Sequence, residues 1–136
     1  MAFELQMLAL MTLLFSLAWL PASVCKFQTY GWGWLLSNRS VAGLPPLPEW
    51  GQRASRAHEN LKENFPGFAV AVLLLALTGG FDRGTHLAAG LFAIARLVHM
   101  PVYIRGLVWP RVISWILGVG ATLYLLGAAV WGLVKF

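Results

Sequence analysis

Charge is scarce in this sequence, and acid is scarcer still. Only 11% of its 136 residues are Asp, Glu, Lys or Arg, and just five are acidic, whereas soluble domains carry roughly 25% charged residues. Cysteine occurs once, as Cys25, which excludes an internal disulfide framework and a multi-cysteine metal site. The apolar runs lack the polar–apolar alternation of a membrane β-barrel. No Gly-rich phosphate loop and no Ser-centred nucleophile motif occurs. His58, His86 and His99 show no metal-ligand spacing, so no metal is expected.

Apolar residues make up 59% of the chain, and its mean hydropathy is +0.70. A soluble domain of this size buries only about two-thirds of its surface and could not hide so much apolar area. The remaining solvent is lipid, where backbone groups must be paired internally and unalternated runs must be helical. Four runs suit helices of about 20 residues: Phe3 to Val24, Phe65 to Leu77 with a polar helical extension before it, Leu87 to Ile104, and Val112 to Val134. The expected fold is an all-α, integral membrane four-helix bundle, a single domain over 1–136. Its helices are expected at approximately 2–25, 48–77, 85–105 and 110–135. The first run opens Met-Ala-Phe-Glu, without a basic n-region, and its apolar part exceeds the ~7–15 residues of a signal peptide. It reads as a retained first span. Pro66 and Pro101 are expected to kink the second and third spans.

The basic residues set an expected topology. Lys26, Arg39, Arg53 and Arg56 precede the second span, and Arg105 and Arg111 lie in the third connection, whereas the opposite side holds Arg83 and Lys135. The positive-inside rule places the first and third connections in the cytoplasm and both termini outside, in a periplasm or lumen; for a bacterial chain this is the inner membrane. Trp32, Trp34, Trp50 and Trp109 fall at that same boundary, which tryptophan prefers. The net charge of +5 thus reads as topology, with no soluble basic module to bind nucleic acid. Small residues on the third span (Ala88, Ala89, Gly90, Ala93, Ala95) and the fourth (Gly118, Gly120, Ala121, Gly127, Ala128) permit close helix approach. Glu4 and Asp82 are expected in water outside.

Several charges fall where lipid tolerates them poorly. Arg53, Arg56, Asn60 and Glu63 are spaced by three, four and three and share one helical stripe; Arg96, His99 and Tyr103 form another. Arg96 lies roughly 13 Å from the end of its helix at 1.5 Å per residue. A lone arginine at such depth costs about 2.5 kcal/mol or more, so Arg96 is expected to pair with Glu63. Such a pair alone could simply fix helix register. The surplus of arginine suits an anionic ligand, because guanidinium binds carboxylates bidentately, and one carboxylate among the arginines suits a ligand ammonium. The reading from residues alone reaches a polar, zwitterion-binding site at the membrane boundary.

The segment Arg53-Ala-Ser-Arg56-Ala-His-Glu-Asn60-Leu-Lys-Glu63-Asn64-Phe-Pro66 resembles the second-helix signature of the MAPEG family, membrane-associated proteins in eicosanoid and glutathione metabolism. Ala95-Arg96-Leu-Val-His99-Met-Pro-Val-Tyr103 resembles its third-helix signature. The flavour is that of bacterial members rather than of eicosanoid synthases, since Asn64 stands where several of the latter have an aromatic or hydroxyl residue. The resemblance implies a homotrimer with glutathione, a cosubstrate, bound between neighbours. Arg56, Asn60 and Glu63 would hold the tripeptide's polar ends, with Arg53 on the same stripe. His99 and Tyr103 would face the ligand, Arg96 would lie a turn deeper, and Lys26 would reach in from the adjacent subunit. Arg111 resembles the arginine that activates the thiol, with Arg105 as its competitor. The implied function is a glutathione-dependent transferase or peroxidase that joins the thiolate to a lipophilic small-molecule electrophile or reduces a lipid hydroperoxide. A non-catalytic lipid-binding scaffold of the same fold and a small transporter subunit remain the alternatives.

Overall fold

A computed structural model describes residues 2–135. It is all-helical, with α1 at Phe3–Leu17, α2 at Leu20–Leu35, α3 at Glu49–Thr78, α4 at Arg83–Ile104 and α5 at Val108–Val134. The first two run on as a single apolar stretch, so four segments are long and apolar enough to cross a membrane: Phe3–Leu35, Glu49–Thr78, Arg83–Ile104 and Val108–Val134.

The first span is longer than its composition suggests. It passes the polar residues Lys26 and Gln28 and ends at Leu35, about three turns beyond the expected end near Cys25. Leaving lipid does not end a helix, because the intrahelical hydrogen bonds are as usable in water. A turn at Ala18–Trp19 divides α1 from α2, and Pro21 stands in the first turn of α2, where its missing N–H costs nothing. Gly31 interrupts α2 with φ 76° and ψ −176°, a backbone open chiefly to glycine. Helix α3 begins after Pro48 and stops at Gly79, whose φ of 64° closes the left-handed cap, with the Gly80 N–H donating to the Leu75 carbonyl. Neither Pro66 nor Pro101 ends its helix: α3 and α4 continue through them.

Helix α4 starts two residues before the expected position because Asp82 caps it. The Asp82 carboxylate accepts from the Thr85 N–H at 2.8 Å while the Thr85 hydroxyl accepts from the Asp82 N–H at 2.8 Å. That hydroxyl also lies 2.8 Å from Glu4 Oε1. Glu4 is therefore buried rather than in water, because α1 packs its first turn against the start of α4.

The core is thin and built from small residues. Phe68 and Phe92 stack with centroids 3.9 Å apart, flanked by Met11, Val72, Leu75, Ala89, Ala93, Ala121, Leu125 and Ala129. Of the small residues, Ala88, Ala89, Ala93, Ala95, Gly118 and Ala121 are buried, whereas Gly120 and Gly127 face outward. Leucine, valine and tryptophan side chains are exposed all round the bundle. On a water-soluble monomer this would be an anomalous apolar surface; on a membrane protein it faces lipid or a neighbour.

Candidate functional site

The end of α2, the start of α3 and the turn between α4 and α5 meet at one end of the bundle. There α3 is tied to the turn by Arg53, which donates from Nε to the Ile104 carbonyl at 2.8 Å and from Nη1 to Glu49 Oε2 at 3.0 Å. Cys25 packs against Gly51, where any side chain would collide with its sulfur. Nearby, a cleft of about 250 Å³ opens among α3, α4 and α5, lined by Asn60, His99, Tyr103, Arg111, Val112 and Trp115.

The cleft's polar wall is held by α5. The stretch Arg111–Ser114–Gly118 is spaced by three and four residues, so these positions share the helix face that meets α4. The Ser114 hydroxyl donates to the Arg111 carbonyl at 3.0 Å, and His99 Nδ1 lies 3.2 Å from the same carbonyl and 3.0 Å from Ser114 Oγ. A carbonyl only accepts, so in the Nδ1-protonated tautomer this nitrogen donates to it. His99 thus clamps the first turn of α5. The Arg111 guanidinium sits 5.0 Å from the centroid of the Tyr103 ring, within cation–π range. The cation thereby lines the cleft, and its N–H groups have no hydrogen-bond partner among the described residues.

Arg96 is the deepest charge, with 1% of its surface exposed. The expected pair with Glu63 does not form. Arg96 Nη1 instead donates to Asn60 Oδ1 at 2.9 Å, while Glu63 is exposed. Three residues on from Asn60, Glu63 is rotated roughly 60° back round the helix, which points its carboxylate outward and spares it desolvation. Arg96 Nε and Nη2, and His99 Nε2, are buried without a hydrogen-bond partner among the described residues. The guanidinium carbon lies 5.4 Å from the Phe92 ring centroid, and its other side lies against Gly118, where a Cβ would stand 2.7 Å from Nη2 and 2.9 Å from Nε. Gly118 is therefore the space that Arg96 occupies. Gly118→Ala should lower stability by about 1–3 kcal/mol through overpacking, measured by denaturant unfolding in detergent micelles. An unchanged midpoint would mean that Arg96 has slack to move.

The remaining sequence candidates are distributed unevenly. Arg56 lies on the same stripe of α3 as Asn60 but is exposed, with only a 3.5 Å contact from its Nη2 to Gln52 Oε1. Arg53 is occupied as a brace and does not line the cleft. Arg105 caps α4 and is exposed. Lys26 lines a separate pocket with Ser23, Trp34 and Arg39, so a single chain does not bring it to the cleft. Ser114, Val112 and Trp115 were not among the sequence candidates, and Gly118 was read only as a packing residue, although the stripe spacing that singled out Arg96 and His99 also picks out Arg111, Ser114 and Gly118.

Four membrane-length helices, with a cleft lined by Asn60, His99, Tyr103 and Arg111 at one end, define a small polytopic membrane protein. The chain also matches the MAPEG family profile over residues 3–131, nearly its whole length. It belongs to the MAPEG family. No curated protein and no solved structure matched it.

Proposed function

We propose that this protein binds glutathione in the Asn60–Arg111 cleft and uses its thiolate on a lipophilic acceptor, as a membrane-bound transferase or peroxidase. The observation that carries the reading is Arg111: a guanidinium seated on Tyr103, with its backbone clamped by His99 and Ser114, lining a polar cleft. Glutathione offers two carboxylates, an ammonium and a thiol. The cleft offers Arg111 for an anionic group and Asn60 for a peptide group, and the exposed face of α3 carries Arg56 and Glu63 for the other carboxylate and the ammonium. The cleft volume of about 250 Å³ is below the roughly 300–1,000 Å³ of small-ligand pockets. A second copy closing its open side would complete it, as the proposed homotrimer would provide. Positive charge concentrated at this end supports a topology with the cleft in the cytoplasm and both termini outside.

The chemistry follows from charge. A thiol with pKa near 8.5 is mostly protonated at neutral pH, and a fixed cation favours the thiolate. Arg111 stays charged and donates several hydrogen bonds, so it holds the sulfur anionic while the proton leaves to water. In conjugation the sulfur lone pair forms a C–S bond with an electrophilic carbon, and the leaving group departs or the added carbanion takes a proton. In peroxide reduction the sulfur attacks the terminal oxygen, the O–O bond breaks, and the alkoxide leaves as alcohol. A second glutathione then converts the sulfenic acid to disulfide and water. Val112 and Trp115 line the same cleft as Arg111 and would set an apolar wall beside the sulfur, holding a water-soluble thiol and a lipid-soluble acceptor together. Adding glutathione to the detergent-solubilised protein should produce a thiolate difference spectrum at neutral pH. Absence of both the thiolate band and calorimetric glutathione binding would sink the reading.

A further inference from the structure

A second pocket, about 230 Å³ in volume, lies between α2 and the loop that follows it, lined by Ser23, Lys26, Trp34, Leu35, Arg39 and Val41. Its two cations have no ion-pair partner among the described residues. The two ion pairs that form join Arg53 to Glu49 and Lys62 to Glu59. Glu59, which lies within electrostatic reach of Lys26, is therefore already taken. The loop holds Arg39 in place at some conformational cost. Arg39 has φ 60°, a left-handed backbone uncommon for a residue with a side chain. Its N–H is bonded to Ser37 Oγ at 3.1 Å, and Trp34 Nε1 donates to the Ser40 carbonyl at 3.0 Å, folding the loop back over the helix end. Arg39 Nε donates to the Leu35 carbonyl at 3.3 Å.

The pocket sits at the depth of a lipid headgroup. Lys26 stands about 35 Å along the first span from Phe3, just past a hydrocarbon core of about 30 Å. Exposed Val41 lines it and exposed Leu36 follows its Leu35; both would meet the upper part of an acyl chain. Two cations over an apolar rim at this height match a phosphate diester with its chains in the bilayer, since lysine and arginine beside the membrane surface attract anionic lipid headgroups. We propose that Lys26 and Arg39 form a binding site for the phosphate of an anionic phospholipid, separate from the Asn60–Arg111 cleft.

The test uses the full chain reconstituted in vesicles of phosphatidylcholine with about a quarter phosphatidylglycerol, then released and weighed by native mass spectrometry. The wild type should retain bound phosphatidylglycerol. Lys26→Gln/Arg39→Gln should reduce its retention about 10- to 30-fold, the loss expected for two lysine or arginine contacts to anionic lipid. The control pair Arg83→Gln/Lys135→Gln, which removes the same charge from the far end, should retain it as the wild type does. Equal retention by wild type and Lys26→Gln/Arg39→Gln, or an equal loss in the control pair, would overturn the proposal. So would displacement of the lipid by millimolar inorganic phosphate, which would make the pocket a free-phosphate site. If the double variant fails to fold, Arg39→Gln alone, in an exposed loop, should still lower retention several-fold; unchanged retention there overturns the proposal equally.

Discussion

Arg111→Ala is expected to abolish the glutathione thiolate signal and to lower conjugation of a model electrophile about 10²- to 10³-fold, the usual cost of removing one preorganised donor from a developing or resident anion. The size of the effect follows from placement. The Arg111 backbone is held by two hydrogen-bonding groups, Ser114 and His99, and its guanidinium rests on Tyr103, so little reorganisation is needed when the sulfur arrives. Arg111→Lys keeps the charge but loses the planar fork and the stacked seat, and should fall between wild type and alanine. Arg105→Ala should leave the signal intact, because Arg105 is exposed and does not line the cleft. Stopped-flow absorbance after mixing with glutathione reads all three. Loss in Arg105→Ala with none in Arg111→Ala would transfer the thiol-activating role to Arg105.

The second large effect concerns stability and runs through Arg96. Asn60→Leu removes the one hydrogen-bond acceptor that Arg96 has among the described residues and leaves a charge buried with none. Losing a hydrogen bond to a buried charged group costs about 1.5–3 kcal/mol. Arg96→Met, by contrast, replaces the charge with an apolar side chain of similar length, and such replacements are often neutral or stabilising. The cost there is the orphaned Asn60 amide, about 1–3 kcal/mol less whatever is recovered from removing the charge. The Asn60→Leu/Arg96→Met double variant should then be more stable than Asn60→Leu alone, giving a coupling of at least about 1 kcal/mol. Chemical denaturation in detergent, with secondary structure followed by circular dichroism, measures the cycle. Additive losses would mean that Arg96 finds another partner once Asn60 is gone.

The two experiments separate function from architecture. A purely structural Arg96–Asn60 contact predicts the stability cycle and leaves the thiolate signal of Arg96→Met near that of the wild type. A ligand-binding role for Asn60 predicts weaker glutathione binding in Asn60→Leu even where the fold survives. Calorimetry on the folded fraction distinguishes the two, since a stability defect lowers the folded fraction and a binding defect lowers affinity.

Much of the fold was legible because lipid leaves the backbone one economical solution. Unalternated apolar runs must be helices, whereas the Asp82 cap that starts α4 early and the positive φ of Gly79 and Gly106 came only from the structure. The first span's length was not legible, since Lys26 and Gln28 mark where lipid ends and not where helical hydrogen bonding ends. Glu4 was misplaced for a related reason. A carboxylate at the start of a membrane helix reads as solvated, and only the approach of α1 to Thr85 buries it.

The sequence by itself determined the solvent, the number of spans, the end of the bundle that carries the charge, and the stripes that carry Asn60, Arg96, His99 and Tyr103. Each of these depends on composition or on spacing along one helix, which the chain carries locally. The tertiary structure alone decided the partners: Arg96 with Asn60 rather than Glu63, Arg53 spent on the Ile104 carbonyl, Lys26 in a different pocket, and Arg111 seated by Tyr103, His99 and Ser114. Partnership depends on the rotation of one helix against another. A difference of roughly 60° between Asn60 and Glu63 is enough to send one side chain into the bundle and the other out of it.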